Sequence, residues 1–309
     1  MPVPAQNQQY ENFIIRYKQN THGGFDYESD ETFQIVNDLF GILYVPMQEV
    51  PELELSSYSY SSIPRCYTYM DTGALSTSGM TRLHNHPYLK LQGKGTLVAV
   101  IDSGIDYLHP AFHNGVQSKI FSIWDQTLEG GADGRIPFGR EFGRQQIEQA
   151  LASENPWEIV PSSDTNGHGT RSAATAAGYR IEKDNFCGAA PEAEIVIVKL
   201  KQAKNYLRDF YLLPRDIDIF QEDDIMLAIS YVLFIAQEQQ MPLSICIGLG
   251  TSMGAHQGEG PLNEYINSIA AFTQNAVSVP AGNEGTARHH YLREFGPNDT
   301  EDTVELRVG

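Results

Sequence analysis

The 309-residue sequence contains few cysteines, little positive charge and no long apolar run. Cys66, Cys187 and Cys246 are odd in number and far apart, and no CxxC pair is present. A disulfide framework or a zinc site needs several cysteines at characteristic spacings, so the sequence argues against both. We therefore predict that the protein holds no metal and no cofactor. A reducing compartment suits the free thiols, with an exported protein as the alternative.

Positive charge is scarce because 21 Lys and Arg face 39 Asp and Glu, which gives a formal net charge of −18. An acidic surface of this kind repels nucleic acid, so we expect no nucleic-acid partner. No apolar run reaches the about 20 residues that a membrane-spanning helix needs. The N-terminus also lacks the basic start and apolar core of a secretory signal. We predict neither a membrane span nor a signal peptide.

Residues 1–75 form a small predicted α+β unit with its linker. Residues 12–17 and 42–46 are strand-like, and residues 30–40 show the apolar spacing of an amphipathic helix. The residues at helical spacing are Phe33, Val36, Leu39 and Phe40. A polar stretch rich in Ser and Tyr, residues 54–62, then leads to the larger domain.

Strands and helices alternate from about residue 95 onward. Residues 97–102 are an apolar run typical of a strand buried on both faces of a parallel sheet. Gly178 ends an Ala-rich helix at 169–177, and Asp223 and Asp224 are expected to cap another helix. Further strands are predicted at 194–200, 243–247 and 276–279, and further helices at 144–151 and from Pro261. The alternation predicts a doubly wound, mostly parallel α/β sheet over residues 76–300.

Residues 302–308 alternate apolar and polar side chains, which predicts a half-buried strand of a different kind. A strand this exposed needs partners. We therefore expect residues 301–309 to begin a further β-rich segment and more protein to follow Gly309.

Two stretches carry the candidate chemistry. Residues 98–106 have the sequence VAVIDSGID and place Asp102 at a strand end, and residues 164–170, DTNGHGT, place His168 at a helix start. A buried carboxylate can hold an imidazole in one tautomer, and that imidazole can take the proton of a serine hydroxyl. We predict that Asp102 is the orienting carboxylate and His168 the general base. Alone, Asp102 could instead close a turn and His168 simply open a helix.

Functional side chains of such sheets gather at the carboxyl ends of the strands. Asn283 follows the strand at 276–279 and is the candidate donor to an oxyanion, with turn capping as the alternative. Gly248, Leu249 and Gly250 follow another strand end, and we predict that their backbone pairs with an extended substrate.

These motifs resemble those of the subtilisin-like serine peptidases, the subtilases, whose triad follows the chain order Asp, His, Ser. VIDSGID and NGHGT resemble the aspartate and histidine motifs. Residues 189–191 resemble the small-residue turn after the histidine helix, residues 244–250 the strand that lines the substrate site, and residues 281–283 the oxyanion asparagine motif. The resemblance extends from about residue 75 to about residue 285. It implies a serine endopeptidase that cleaves an extended protein or peptide substrate through an acyl-enzyme.

Residues 122–127 and 248–252 resemble, more closely, the clostridial germination-specific spore proteases and their relatives. This resemblance implies that residues 1–75 are a propeptide that chaperones folding and stays bound as a partner in a zymogen. It also implies that residues 301–309 begin a jelly-roll insertion, and that the protein acts in spore germination. The compartment itself stays open, between the cytoplasm and the spore.

A suitable nucleophile is missing from the sequence. Residues 250–254, GTSMG, resemble the nucleophile motif of the family, but they precede the asparagine motif and end a strand. The nucleophile should instead open a buried helix, whose amides and dipole favour the oxyanion. Ser252 is therefore not the predicted nucleophile, and Ser103 is interpreted as a structural neighbour of Asp102.

Two functions stay open at this point. The first is a subtilisin-like serine endopeptidase whose nucleophilic Ser lies in a C-terminal remainder, in a longer chain or a nicked companion segment. The alternative is an inactive pseudoprotease, or a propeptide-bound fragment, that acts as a binding or signalling partner.

Overall fold

The computed structural model describes residues 3–17, 32–50, 53, 57–69, 84, 91–130, 135–254, 257–272, 274–282 and 291–304. No helix within these ranges is both long enough and apolar enough to cross a bilayer.

The N-terminal unit is a three-stranded antiparallel sheet in the order β1-β3-β2, formed by β1 (Tyr10–Arg16), β2 (Phe33–Ile35) and β3 (Phe40–Pro46). The two predicted strands, which correspond to β1 and β3, are confirmed, but the helix predicted over residues 30–40 is wrong within the described residues. Asn37 explains the difference, because its Oδ1 accepts the N–H groups of Leu39 and Phe40 at 2.8 Å each. This side chain closes a tight turn between β2 and β3, which is a common role of Asn.

The main domain is built on a six-stranded sheet in the order β12-β10-β5-β8-β6-β7. All neighbouring pairs are parallel except that of β6 and β7, so the predicted mostly parallel sheet is confirmed. The strands are β5 (Leu97–Asp102), β6 (Ile120–Asp125), β7 (Arg140–Gly143), β8 (Glu194–Lys199), β10 (Leu243–Ile247) and β12 (Asn275–Ser278).

The helices are α1 (Arg144–Leu151), α2 (Pro156–Ile159), α3 (His168–Ala177), α4 (Asn205–Phe210), α5 (Glu222–Gln239) and α6 (Pro261–Ala270). Gln221 is the N-cap of α5, whereas Asp223 and Asp224 lie in its first turn. The prediction that these two acids cap the helix was therefore wrong. Both carboxylates are buried, and each has a partner outside α5: Asn12 donates to Asp223 at 2.6 Å and Lys201 to Asp224 at 2.5 Å.

β5 lies in the middle of the sheet, and every residue in it is buried. Its odd-numbered residues, such as Ile101, share a core with α5, α6 and the strands β1 and β3 of the N-terminal unit. Val98 and Val100 belong to a second core, which includes residues of α1 and α3. A sheet covered on both faces needs strands that are apolar throughout, and this is the sequence pattern that β5 shows.

A third, small sheet brings distant parts of the chain together. β4 (Cys66–Tyr69) lies between β11 (Leu249–Gly250) and β9 (Phe220–Gln221), and it is antiparallel to both. The backbone pairing extends to Arg65, and residues 65–69 together form what we term the cleft strand.

Near the end of the chain, residues 302–304 are exposed and have no regular secondary structure. The remainder of the predicted strand at 302–308 lies outside the described residues. The first strand of a β-rich insertion stays a prediction.

Candidate active site

Asp102 and His168 meet at the carboxyl end of β5. Asp102 is fully buried, and its two carboxylate oxygens lie 2.7 and 2.9 Å from Nδ1 of His168. Because a carboxylate can only accept, these distances place a proton on Nδ1. In the neutral form of the ring, Nε2 is then the basic nitrogen. The backbone N–H of Ser103 donates to the same carboxylate at 2.7 Å. The pair predicted from the motifs therefore has the geometry of an orienting acid and a base.

Glycines allow the backbone to approach this pair closely. A Cβ at Gly248 would lie 2.2 Å from Oδ2 of Asp102 and 3.1 Å from Cε1 of His168. A Cβ at Gly169 would lie 2.2 Å from the carbonyl oxygen of Gly104. Gly248 therefore leaves open the space that the Asp102 carboxylate occupies, which is a role that the sequence did not reveal.

Asp164 joins the end of β5 to the start of α3. Its carboxylate accepts the N–H groups of Gly167 at 2.9 Å and of Thr170 at 2.8 Å. It also accepts the hydroxyls of Thr170 at 2.7 Å and of Ser103 at 2.8 Å. Burial alone would raise the pKa of Asp164, but these hydrogen bonds outweigh it and lower the pKa of the carboxyl.

Ser103 belongs to the same network. Its hydroxyl donates to Asp164 and accepts the N–H of Gly169 at 2.9 Å. Sequence reasoning did not single out Asp164, which lies three residues before Gly167, the N-cap of α3, and so outside the usual capping position. The network positions His168 by holding the first turn of α3 against β5.

The edge formed by Leu249 and Gly250 is paired with the cleft strand. Tyr69 lies opposite Leu249, and Thr68 opposite Gly250. The Tyr69 ring covers the His168 ring at a centroid distance of 4.6 Å, and its hydroxyl donates to Asp218 at 3.2 Å. The predicted substrate-binding edge therefore accepts an extended strand, and the strand it holds is part of the chain itself.

The remaining candidate residues do not join the Asp102–His168 pair within the described residues. Ser252 is exposed in an irregular stretch after β11 and does not open a helix. Asn283 lies outside the described residues, so the oxyanion donor stays a prediction. Within the described part of the chain, no group of three His, Cys, Asp or Glu side chains is arranged to hold a metal ion.

The subtilase family model matches residues 93–211, the segment that contains Asp102, Asp164 and His168. An intracellular serine protease of Paenibacillus polymyxa is 29% identical, over 63% of this chain and 43% of its own length. Subtilisin-like protease SBT1.4 of Arabidopsis thaliana is 30% identical, over 35% of this chain and 16% of its own length.

The structure of the Clostridium perfringens CspB protease superposes with a TM-score of 0.55 and 29% identity, over 67% of this chain and 39% of that chain. The fold is that of a subtilase-like α/β protein. The chain is homologous to the subtilisin-like serine proteases, and these homologues are serine endopeptidases. The chain spans less than half the length of each of these three relatives.

Proposed function

We propose that this chain is the aspartate- and histidine-bearing part of a subtilisin-like serine endopeptidase. The observation that carries the proposal is the short, doubly accepted contact between Nδ1 of His168 and the buried Asp102 carboxylate. A merely structural histidine at a helix start has no need of a buried carboxylate that holds one tautomer.

In the proposed reaction, Nε2 of His168 takes the proton of a serine hydroxyl as that oxygen attacks the carbonyl carbon of a peptide bond. The proton then passes to the leaving amine, and an acyl-enzyme remains. Water then attacks the acyl-enzyme and gives its proton to Nε2 of His168. The proton returns to the serine oxygen as the acid product leaves. Asp102 stabilises the imidazolium in each step, and Asn283 is the proposed donor to the oxyanion.

An open groove beside α3 supports a nucleophile that comes from outside the given sequence. The groove has a volume of about 570 Å³ and lies between Ala176 of α3 and the neighbouring strands β10 and β12. Ser278 is exposed on this face and Cys246 is only partly covered. Because both faces of a mostly parallel sheet are usually covered, we propose that the serine-bearing segment packs here.

The N-terminal unit is the proposed propeptide. Its support is the cleft strand, which links that unit to the main domain and occupies the edge at Leu249 and Gly250. The proposed substrate is a protein or peptide that enters in the same extended conformation, because backbone pairing at this edge requires it.

The test is labelling of the natural protein with a fluorophosphonate probe, together with its intact mass. We expect the probe on a serine outside residues 1–309, with labelling lost in His168→Ala and retained in His109→Ala. His109 is the matched control because it is exposed. A mass that ends at Gly309 with no labelling would overturn the endopeptidase and favour a binding or signalling partner.

A further inference from the structure

We propose that the cleft contains a subsite for an arginine side chain, formed by Glu222, Gly254 and Gly260. The arginine that it binds lies four residues before the residue that covers His168. This inference rests on the proposed function. Arg65 occupies the subsite here, at the start of the cleft strand.

Glu222 holds both the backbone and the side chain of Arg65. Its Oε2 accepts the Arg65 N–H at 3.1 Å and lies 3.5 Å from the guanidinium Nε. The Glu222 N–H in turn donates to the Arg65 carbonyl at 2.8 Å, which continues the pairing of β4 with β9. Both side chains are almost completely buried, at 6% and 1% exposure. The strand position and the side chain are therefore recognised by one carboxylate.

Two glycines shape the slot around the guanidinium. A Cβ at Gly260 would lie 1.6 Å from Nη2 of Arg65, and a Cβ at Gly254 would lie 2.6 Å from Nη1. Nη2 also donates to the Glu259 carbonyl at 3.3 Å. The walls of the slot at these two positions are backbone, so the slot has room for a flat guanidinium beside the Glu222 carboxylate and the Glu259 carbonyl.

Arginine fits this slot and lysine does not fit it equally well. A guanidinium can reach Glu222 and the Glu259 carbonyl together, whereas an ammonium is a compact point charge without a planar fork. An uncharged side chain would leave the Glu222 carboxylate buried without a counter-charge, which is unfavourable. Burial raises the pKa of Glu222, and the Arg65 charge opposes that rise.

The separation of Arg65 from Tyr69 along the strand fixes which residue of a bound peptide would enter the slot. Side chains at alternate strand positions point to one side, so Arg65, Tyr67 and Tyr69 share a side. Tyr69 lies over His168 while Arg65 fills the slot. The substrate class that this geometry selects is an extended peptide with arginine four residues before the residue at His168.

The deciding experiment uses the full chain and the exchange of the amide hydrogens of Cys66–Tyr69. We expect Arg65→Ala to speed their exchange about tenfold or more, and Arg65→Lys to cause most of that loss of protection. Both variants lose the guanidinium, which pairs with Glu222 and donates to the Glu259 carbonyl. Ethylguanidinium, which replaces the deleted atoms, should restore protection to Arg65→Ala, and ethylammonium should not. The rescue should disappear in the double variant Arg65→Ala/Glu222→Gln.

Arg16→Ala is the matched control, since Arg16 forms an exposed ion pair with Glu264 outside the slot. Exchange in Leu97–Asp102 reports on the whole fold. If Arg65→Ala exchanges quickly there too, the folded Arg65→Lys variant decides. Protection at wild-type level in the lysine variant, or equal rescue by the two cations, would overturn the subsite. Neither result depends on a serine, so failure here leaves the endopeptidase proposal standing.

Discussion

At the scale of single residues, Gly248 has the clearest consequence for the Asp102–His168 pair. Its missing side chain leaves room for Oδ2 of Asp102 where a Cβ would lie only 2.2 Å away. A methyl group there would push the carboxylate away from the imidazole, since the buried surroundings cannot move freely.

We expect Gly248→Ala to lower the free energy of unfolding by about 1–3 kcal/mol, the usual effect of overpacking. The downfield NMR signal of the His168 Nδ1 proton should weaken or vanish. Gly143→Ala is the control, because a Cβ at Gly143 meets no atom within 4 Å. An unchanged His168 signal in Gly248→Ala would contradict the inference that the space at Gly248 keeps the Asp102 carboxylate in position.

Asp164 links protonation to the position of α3. Hydrogen bonds from Thr170, Gly167 and Ser103 lower its pKa despite burial, so the ionised form stabilises the fold. A carboxyl whose pKa is lowered by folding contributes stability above its ordinary pKa, and that stability is lost as the pH falls. We expect Asp164→Asn to be less stable near neutral pH, and to lose less stability than the wild type between about pH 5 and about pH 3. Urea unfolding at several pH values measures this, and parallel curves for the two proteins would contradict it.

At the scale of elements, a buried polar cluster joins the N-terminal unit to α5. Nζ of Lys204 donates to the carbonyls of Pro4 and Tyr10 at 2.7 and 3.0 Å and to Oδ1 of Asn12 at 2.7 Å. Nδ2 of Asn12 donates to Asp223 at 2.6 Å. Because unpaired buried polar groups are costly, this cluster makes separation of the two units unfavourable unless water can enter.

Asp224, next to this cluster, predicts a second pH dependence of opposite sign. Burial raises its pKa to about 7, although Lys201 at 2.5 Å opposes the rise. A carboxyl with a raised pKa favours the folded state when protonated, so stability falls as the pH rises from about 4 to about 7. We expect Asp224→Asn to flatten the stability curve in this window, with the exposed Asp216→Asn as control. The free energy of unfolding, measured with urea at several pH values, checks this. If it changes with pH equally in Asp224→Asn and in the wild type, the assignment is wrong.

The elements differ in how far the sequence predicts them. β5 and α3 were predicted because a fully apolar run and an Ala-rich segment ending at glycine each specify their structure locally. The helix over residues 30–40 was wrong because a single hydrogen-bonding side chain, Asn37, decided the turn. The cleft strand was not predicted, since its pairing with Leu249 depends on distant residues. The fit of Gly248 against Asp102 likewise needs three-dimensional contacts that no local pattern encodes.

At the scale of the whole molecule, the groove between α3 and the strands β10 and β12 is the proposed docking face for the serine-bearing segment. Cys246 lies in it, and burial raises the pKa of this thiol to about 11. We expect iodoacetamide at alkaline pH to alkylate Cys246 in the 309-residue chain. A serine-bearing segment docked in the groove should slow that reaction about tenfold or more, since it closes access to the thiolate.

Mass spectrometry of the alkylated peptides gives the rate at each cysteine. Cys187 is the internal reference because it is partly exposed and does not line the groove. If Cys246 reacts at the same rate with and without the added segment, the segment does not pack on this face.

The cleft strand also bears on how the chain acquires its structure. Its contact between Arg65 and Glu222 joins residues 157 positions apart. The paired strands of the central sheet are all closer to each other along the chain. Contacts that close long loops are entropically costly and slow folding. We expect residues 65–69 to become ordered only after β9 and β11 are in place, and to open first on unfolding. The cleft would thus be built empty and closed afterwards by the chain's own N-terminal side.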